Sequence, residues 1–371
     1  MDSQSWPRGI SQEKSAETVR RCGLKQTITP LPNITYEMPP ITQSITNCAH
    51  ISNANTTIGR GVWGSTQVVI KKMNPTITMT AAQYEHLIDE LCVLNKIDSF
   101  GGEQHNCLPC LSVFMINGRI HLVFPLCICD FRIFYYQDWH FCDTVAPIII
   151  KFIMEIVNAL QFLHAHGISH RDIKADNVLI CYKNGKFSAK VTDYGSSTFE
   201  AETTRSDGTR QYMAPEVFSI IKNGERKQHS HNCSVDYWGL GVLIYVIITN
   251  RLPFRAEDDT STRVFREWTE WLHTPGAMYM PRKSIFYKDG ECGNGINLPK
   301  IRIPDAGNCK LLLAVMDGFM TPQPTHRLNG EGFKELACGL LPDDTAILHD
   351  LFLQFVLSLP SDKVIGRHQL L

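Results

Sequence analysis

The chain has 371 residues, with 36 Lys and Arg against 37 Asp and Glu, a formal net charge of −1. Apolar residues make up 43% and charged residues 20%, the proportions of an ordinary globular protein with room for two or three structural units. The neutral balance argues against a basic nucleic-acid-binding domain, and 13 cysteines are too sparse for a disulfide scaffold. Their scatter predicts reduced thiols. The first residues, MDSQSWPRGISQEKSAE, contain no apolar segment, so no signal peptide is expected. Together these features suggest a cytoplasmic or nuclear protein.

In chain order, residues 1–47 are rich in Ser, Thr, Pro, Gln and Asn and bury too little to order themselves, which predicts a disordered tail. Val, Ile, Thr and Trp then dominate residues 51–72, with glycines punctuating, as in short strands. Residues 81–97 place Leu87, Leu91, Leu94 and Ile97 at helical spacing. Segments 111–115 and 120–126 flank Asn117-Gly118, and segments 178–182 and 187–191 flank Asn184-Gly185, two type I′ hairpin signals. Residues 145–166 are apolar nearly all round and break at Gly167, a buried helix. From Asp236 onward the pattern is mainly helical, with an irregular insertion near 275–304 and an amphipathic helix at 346–359, expected to dock on the larger part rather than bind a partner. The apolar run 238–249 has 12 residues, too short to span a bilayer, so it reads as a core helix and no membrane insertion is expected. The class is α+β: a small strand-rich front and a larger helical back that meet around residues 126–132.

Chemistry concentrates in three places. His170-Arg171-Asp172-Ile173-Lys174-Ala175-Asp176-Asn177 follows the long helix, Asp193-Tyr194-Gly195 follows the second hairpin, and Ala214-Pro215-Glu216 comes after that. His, Arg, Asp, Lys and Asn at these spacings arise by chance in about one chain in ten thousand of this length, at roughly 5% per residue type. In this order the motifs resemble the eukaryotic protein kinase superfamily over roughly residues 50–340. The resemblance implies a two-lobed fold: small lobe 48–126, large lobe 127–340, and a helical extension 341–371. It also implies an ATP- and Mg²⁺-dependent enzyme acting on protein substrates.

The resemblance assigns roles residue by residue. Asp172 takes the place of the carboxylate that receives the acceptor hydroxyl's proton. Asn177 and Asp193 match the two metal-holding positions. Lys174 and Thr209 match the residues that steady the transferred phosphate and the catalytic Asp in Ser/Thr kinases, which favours Ser/Thr as acceptor. Val68-Val69-Ile70-Lys71 resembles the strand with the phosphate-binding lysine, and strand alternation points only one of Lys71 and Lys72 inward. Glu90 is the preferred ion-pair partner on the following helix, with Glu85 the alternative. Phe124 takes the gatekeeper place and Leu126 lies in the hinge that would bind adenine. Pro125, where most kinases carry an acid, departs from the pattern. Leu-x-x-Pro followed by Asp130 is similar to the hinge of some herpesvirus kinases, which suggests a large DNA virus as a source.

Gly59-Arg60-Gly61-Val62-Trp63-Gly64 reads as the glycine motif over the ATP phosphates. Only six residues, 65–70, separate Gly64 from Lys71, too few for the rest of one strand, a turn and most of another. The better register makes 57–63 and 66–72 paired strands joined by a turn at Gly64-Ser65. Residues 51–58 then become the lid, and Gly59 or Gly61 eases the strand's approach to ATP. Arg171 implies regulation through a negative partner: phosphorylated Thr204 or Ser206, the preferred reading, or Asp207. Glu216 and Arg327 match a structural ion pair. His229, His231 and Cys233 read as a solvated loop, and Cys107-Leu108-Pro109-Cys110 as too isolated for zinc. The other reading of the whole set is a pseudokinase that binds partners as a scaffold, although such proteins usually lack one of Lys71, Asp172, Asn177 and Asp193. A docking role for the tail is compatible with either.

Overall fold

A computed structural model of the chain describes residues 36–37, 56–63, 66–73, 81–116, 119–134, 146–199, 201–203, 207–217, 231–249, 252, 307–321, 323–338 and 346–358. They fall into two compact units. The first comprises Met1–Phe131, Asp176–Ser197 and Leu353–Leu371; the second comprises Arg132–Ala175 and Thr198–Phe352.

In the first unit, strands β1 (Tyr36–Glu37), β2 (Thr56–Trp63), β3 (Thr66–Met73), β4 (Ser112–Ile116) and β5 (Arg119–Pro125) form an antiparallel sheet in the order β1-β2-β3-β5-β4. Trp63 pairs with Thr66, so two residues join β2 to β3, as the spacing to Lys71 required. The Gly64-Ser65 turn itself lies outside the described residues, as do Asn117-Gly118 and 51–55 of the expected lid. Inside β2, Gly59 pairs with Ile70 and Gly61 with Val68. Both glycines therefore sit in a continuous ladder rather than in a turn. Val68, Ile70, Phe114 and Val123 form a buried cluster, with Trp63 packed against it. Tyr36 and Glu37, within the stretch expected to be a tail, pair with Gly61 and Arg60. An edge strand's unpaired N–H and C=O groups recruit such a partner.

Helix α1 (Ala81–Ser99) buries Leu87, Leu91, Leu94 and Ile97, the four positions its spacing predicts. A second sheet, β6 (Cys129–Asp130), β7 (Val178–Lys183) and β8 (Lys186–Val191), carries the Asn184-Gly185 hairpin. Asn184 at φ 52° and Gly185 at φ 77° take the two positive angles of a type I′ turn. The reduced-thiol expectation is corrected here. Cys127 and Cys181 are joined as a disulfide, with Cα atoms 4.4 Å apart, because the β6–β7 pairing brings these two distant segments side by side.

In the second unit, α2 (Ala146–Ala165) is the apolar helix of the sequence, buried on nearly every side. By length and composition it is the one described helix apolar enough to cross a membrane, and 67% of its most apolar window is buried inside the structure. Helices α4 (Gly307–Phe319) and α5 (Gly330–Ala337) pack on it, and α3 (Ser234–Thr249) packs on α4. The approach of α3 to α4 is close: a Cβ on Gly241 would sit 2.6 Å from Met320 Cγ. The last helix, α6 (Ala346–Ser358), sets Phe352 edge-on against Phe152 of α2, ring centroids 5.1 Å apart.

Candidate active site

Strand alternation along β3 buries Val68 and Ile70, while Lys71 leads its ammonium to two carboxylates. Its Nζ lies 2.6 Å from Glu90 Oε1 and 3.2 Å from Asp193 Oδ1. Glu90 is therefore the partner, and Glu85's side chain lies outside the described residues. Burial opposes the charge on Lys71, but Glu90 and Asp193 together hold its pKa above the ordinary value. Burial pushes the Glu90 carboxyl up against the pull of Lys71. Losing Lys71 would leave the buried Glu90 carboxylate without its cation.

Asp193 has φ 62°, a left-handed conformation that a non-glycine residue adopts only where its surroundings impose it. Tyr194 behind it is 1% exposed and donates its hydroxyl to Val191 O at 2.8 Å, which anchors the turn. Thr192 N–H donates to Asn177 O at 3.0 Å, so Asn177 and the segment leading into Asp193 are tied together. The side chain of Asn177 is buried, the residue being 1% exposed. A carboxylate and an amide are oxygen donors of the kind Mg²⁺ takes. Among the described residues no three His, Cys, Asp or Glu gather as a protein-only metal cage.

Phe124 is 8% exposed and pairs with Val69. Pro125 ends β5 opposite Val68, a strand-end place where its missing N–H costs no ladder bond. Leu126 N–H donates to Gln67 O at 3.2 Å, continuing the pairing into the hinge.

The second unit carries Asp172. Lys174 Nζ lies 2.7 Å from Asp172 Oδ2 and donates to Thr209 Oγ1 at 2.6 Å. Thr209 N–H in turn donates to Asp172 Oδ1 at 2.8 Å. Both carboxylate oxygens are thus oriented by the two residues the sequence paired with them. Beneath this loop, Asp236 at the start of α3 accepts the backbone N–H of His170 at 2.9 Å and of Arg171 at 2.6 Å. It also meets His164 Nε2 at 2.8 Å. Burial would lower the His164 pKa, but the hydrogen bonds and charges of Asp236 and Cys233 outweigh it and raise it to about 9. Burial would raise Asp236, yet His164, His170 and the Arg171 amide hold it below the usual range.

Sequence reasoning put Asp236 at the start of a mainly helical stretch but missed that it holds the loop's backbone and pairs with His164. The signal was an acid at the head of an otherwise apolar helix. Arg171 Nη1 lies 3.4 Å from Asp207 Oδ2, while Thr204 and Ser206 lie outside the described residues. Arg327 grips Glu216 with two nitrogens, at 2.7 and 3.0 Å, the ion pair the sequence led us to expect. His231 corrects the solvated-loop reading. It is 4% exposed, and its backbone pairs with Thr203. His229 lies outside the described residues. Burial pushes both Cys107 and Cys110 up to about 12.

Comparison with known proteins agrees with this geometry. The family described as "Protein kinase domain" matches residues 54–335. The chain is similar to "Probable serine/threonine-protein kinase fhkC" of Dictyostelium discoideum, 31% identical over 52% of this chain and 30% of that one. It is also similar to calcium-dependent protein kinase 14 of Arabidopsis thaliana, 32% identical over 42% of this chain and 28% of that one. A third relative is protein kinase C, eye isozyme, of Drosophila melanogaster, 31% identical over 46% and 23%. The alignments span less than a third of these three relatives. The match over residues 54–335 covers most of the chain, which belongs to the protein kinase family.

Proposed function

We propose that the chain is a protein serine/threonine kinase that transfers the γ-phosphate of ATP to Ser or Thr hydroxyls of protein substrates. The observation that carries this reading is Asp172, with one oxygen held by Thr209 N–H and the other by Lys174. A carboxylate fixed in this way orients a hydroxyl and accepts its proton as the oxygen becomes a nucleophile. The Lys174 ammonium beside it would offset negative charge that develops on the transferred group. Lys71, held by Glu90, would hold the α- and β-phosphates, and Asn177 and Asp193 would hold the metal. Bound Mg²⁺ would neutralise phosphate charge.

Purified protein incubated with γ-labelled ATP, Mg²⁺ and a peptide library containing Ser, Thr and Tyr acceptors tests this. Label is expected on Ser and Thr. Asp172→Asn and Lys71→Met should each lower transfer at least 100-fold while unfolding stays cooperative. Undiminished transfer by Asp172→Asn would overturn the assignment. ATP binding without any transfer by the native chain would favour a binding scaffold instead.

A further inference from the structure

We propose that the Cys127–Cys181 bridge is a reversible thiol–disulfide exchange site, opened at Cys181 by a low-molecular-weight thiol, and that its state sets how tightly the chain holds the adenine of ATP. The inference rests on the kinase reading above and adds a covalent modification that controls the same site.

Every residue concerned lies in the first unit. The kinase reading puts adenine against the hinge at Leu126. On one side of Cys127, Leu126 N–H donates to Gln67 O at 3.2 Å; on the other, Ile128 N–H donates to Ile180 O at 2.8 Å. Cys127 itself is fixed by its bond to Cys181, which lies on β7 beyond Asn177. The phosphate end has ties of its own: Lys71 to Glu90 and Asp193, and Thr192 N–H to Asn177 O. Opening the bridge therefore frees the hinge at the adenine end and leaves the phosphate end held. The β6–β7 ladder, with Cys129 opposite Ile180 and Asp130 opposite Leu179, does not depend on the bridge, so the hinge loosens without unfolding. A loosened hinge must be ordered again when adenine binds, which costs affinity.

The bridge is reached from one side. Cys127 is 7% exposed, whereas Cys181 is half-buried. Alternation along the β7–β8 hairpin puts Leu179, Cys181 and Lys183 on one face with their partners Lys190, Ser188 and Lys186. Three ammonium groups thus share the face of Cys181, and the Glu103 carboxylate meets Lys183 at 3.3 Å. Such positive charge favours thiolate over thiol and draws an anionic attacker. Cys129 is 4% exposed, and burial pushes its thiol well above the ordinary range, so it stays protonated and does not compete.

The exchange balances. A thiolate RS⁻ attacks Cys181 Sγ, the bond between the two cysteines breaks, and its electron pair leaves on Cys127 Sγ, which takes a proton. A second RS⁻ attacks the R-bearing sulfur of the mixed disulfide, forms RSSR and releases Cys181, which takes another proton. Two small thiols are oxidised to one disulfide, and the bridge gains two electrons and two protons.

The full chain is equilibrated with reduced or with oxidised dithiothreitol, and the bridge is counted by peptide mapping of aliquots alkylated after denaturation. Calorimetry then reads Kd for ATP and for inorganic tripolyphosphate, which has no base, each with Mg²⁺. Reduction should raise Kd for ATP about 3- to 10-fold and leave Kd for tripolyphosphate within about twofold, and reoxidation should restore the first value. Reduced glutathione at millimolar concentration should open the bridge as dithiothreitol does. Cys181→Ser, which cannot close the bridge, should match the reduced native chain in both buffers.

The proposal is overturned if the oxidised chain carries no Cys127–Cys181 bridge, if glutathione leaves the bridge closed, or if Cys181→Ser responds to the buffers as the native chain does. An equal weakening of ATP and tripolyphosphate overturns it too, because the loss would then be general rather than at the hinge. The native-chain arms need no variant, so they decide even if Cys181→Ser fails to fold. ATP binding in neither state refutes the kinase reading and this inference together, whereas equally tight ATP binding in both states refutes the inference alone.

Discussion

Replacing Gly208 by alanine should damage both catalysis and stability. Its φ of 113° is a conformation L side chains rarely adopt, and holding an alanine there costs on the order of 1–3 kcal/mol. The added Cβ would stand 2.5 Å from Arg171 O, a backbone atom fixed by Asp236 through its own residue's N–H. Ordinary contact begins near 3.4 Å, so the 207–209 segment must retreat by about 0.9 Å (3.4 − 2.5). Moved that far along the bond, Thr209 N would be about 3.7 Å from Asp172 Oδ1 instead of 2.8 Å, beyond hydrogen-bond range. A hydrogen bond to a charged group is worth about 1.5–3 kcal/mol, which corresponds to roughly 10- to 150-fold in kcat if it acts only in the transition state. Steady-state kinetics with calorimetry should therefore show kcat down by about that factor, KM for ATP within about twofold and Tm down by several degrees. An alanine variant with native kcat and native Tm would refute this account of the segment.

Gly59 offers the contrast: no atom lies within 4 Å of a Cβ there, and the residue sits inside β2. Gly59→Ala should leave Tm unchanged or slightly raised and KM for ATP within about twofold, whereas a large rise in KM would restore the literal glycine-loop reading. His164, with its pKa raised to about 9 in the fold from 6.5, contributes stability that is complete below about pH 6.5 and lost as pH rises through 9. Tm measured from pH 6 to 10 should fall across that window, and His164→Gln should flatten this part of the profile. The Cys127–Cys181 bridge spans 54 residues, a loop whose closure contributes up to about 4 kcal/mol by chain entropy. Reductant should lower the Tm of the native chain by several degrees and leave Cys127→Ser unaffected; equal Tm with and without reductant would show that the bridge adds nothing.

Much of this protein was legible without coordinates, for local reasons. Helix α2 and the Asn184-Gly185 hairpin follow from apolar periodicity and from two residues that tolerate positive φ. The β2–β3 register followed from counting residues between Gly64 and Lys71, because strands have a minimum length. The identities of Asp172, Lys174, Asn177 and Asp193 were visible because ordered motifs keep fixed spacing along the chain. Only the tertiary structure decided which distant groups meet. Lys71 reaches Asp193 across 122 residues, and Cys127 meets Cys181 across 54. His164 finds Asp236, and Arg171 finds Asp207. In the sequence Cys127, Cys181 and His164 look like any other thiol or base, since periodicity records which face is apolar and not what lies opposite it. Long-range pairing depends on how sheets and helices are stacked, and stacking is set by the whole core rather than by any segment.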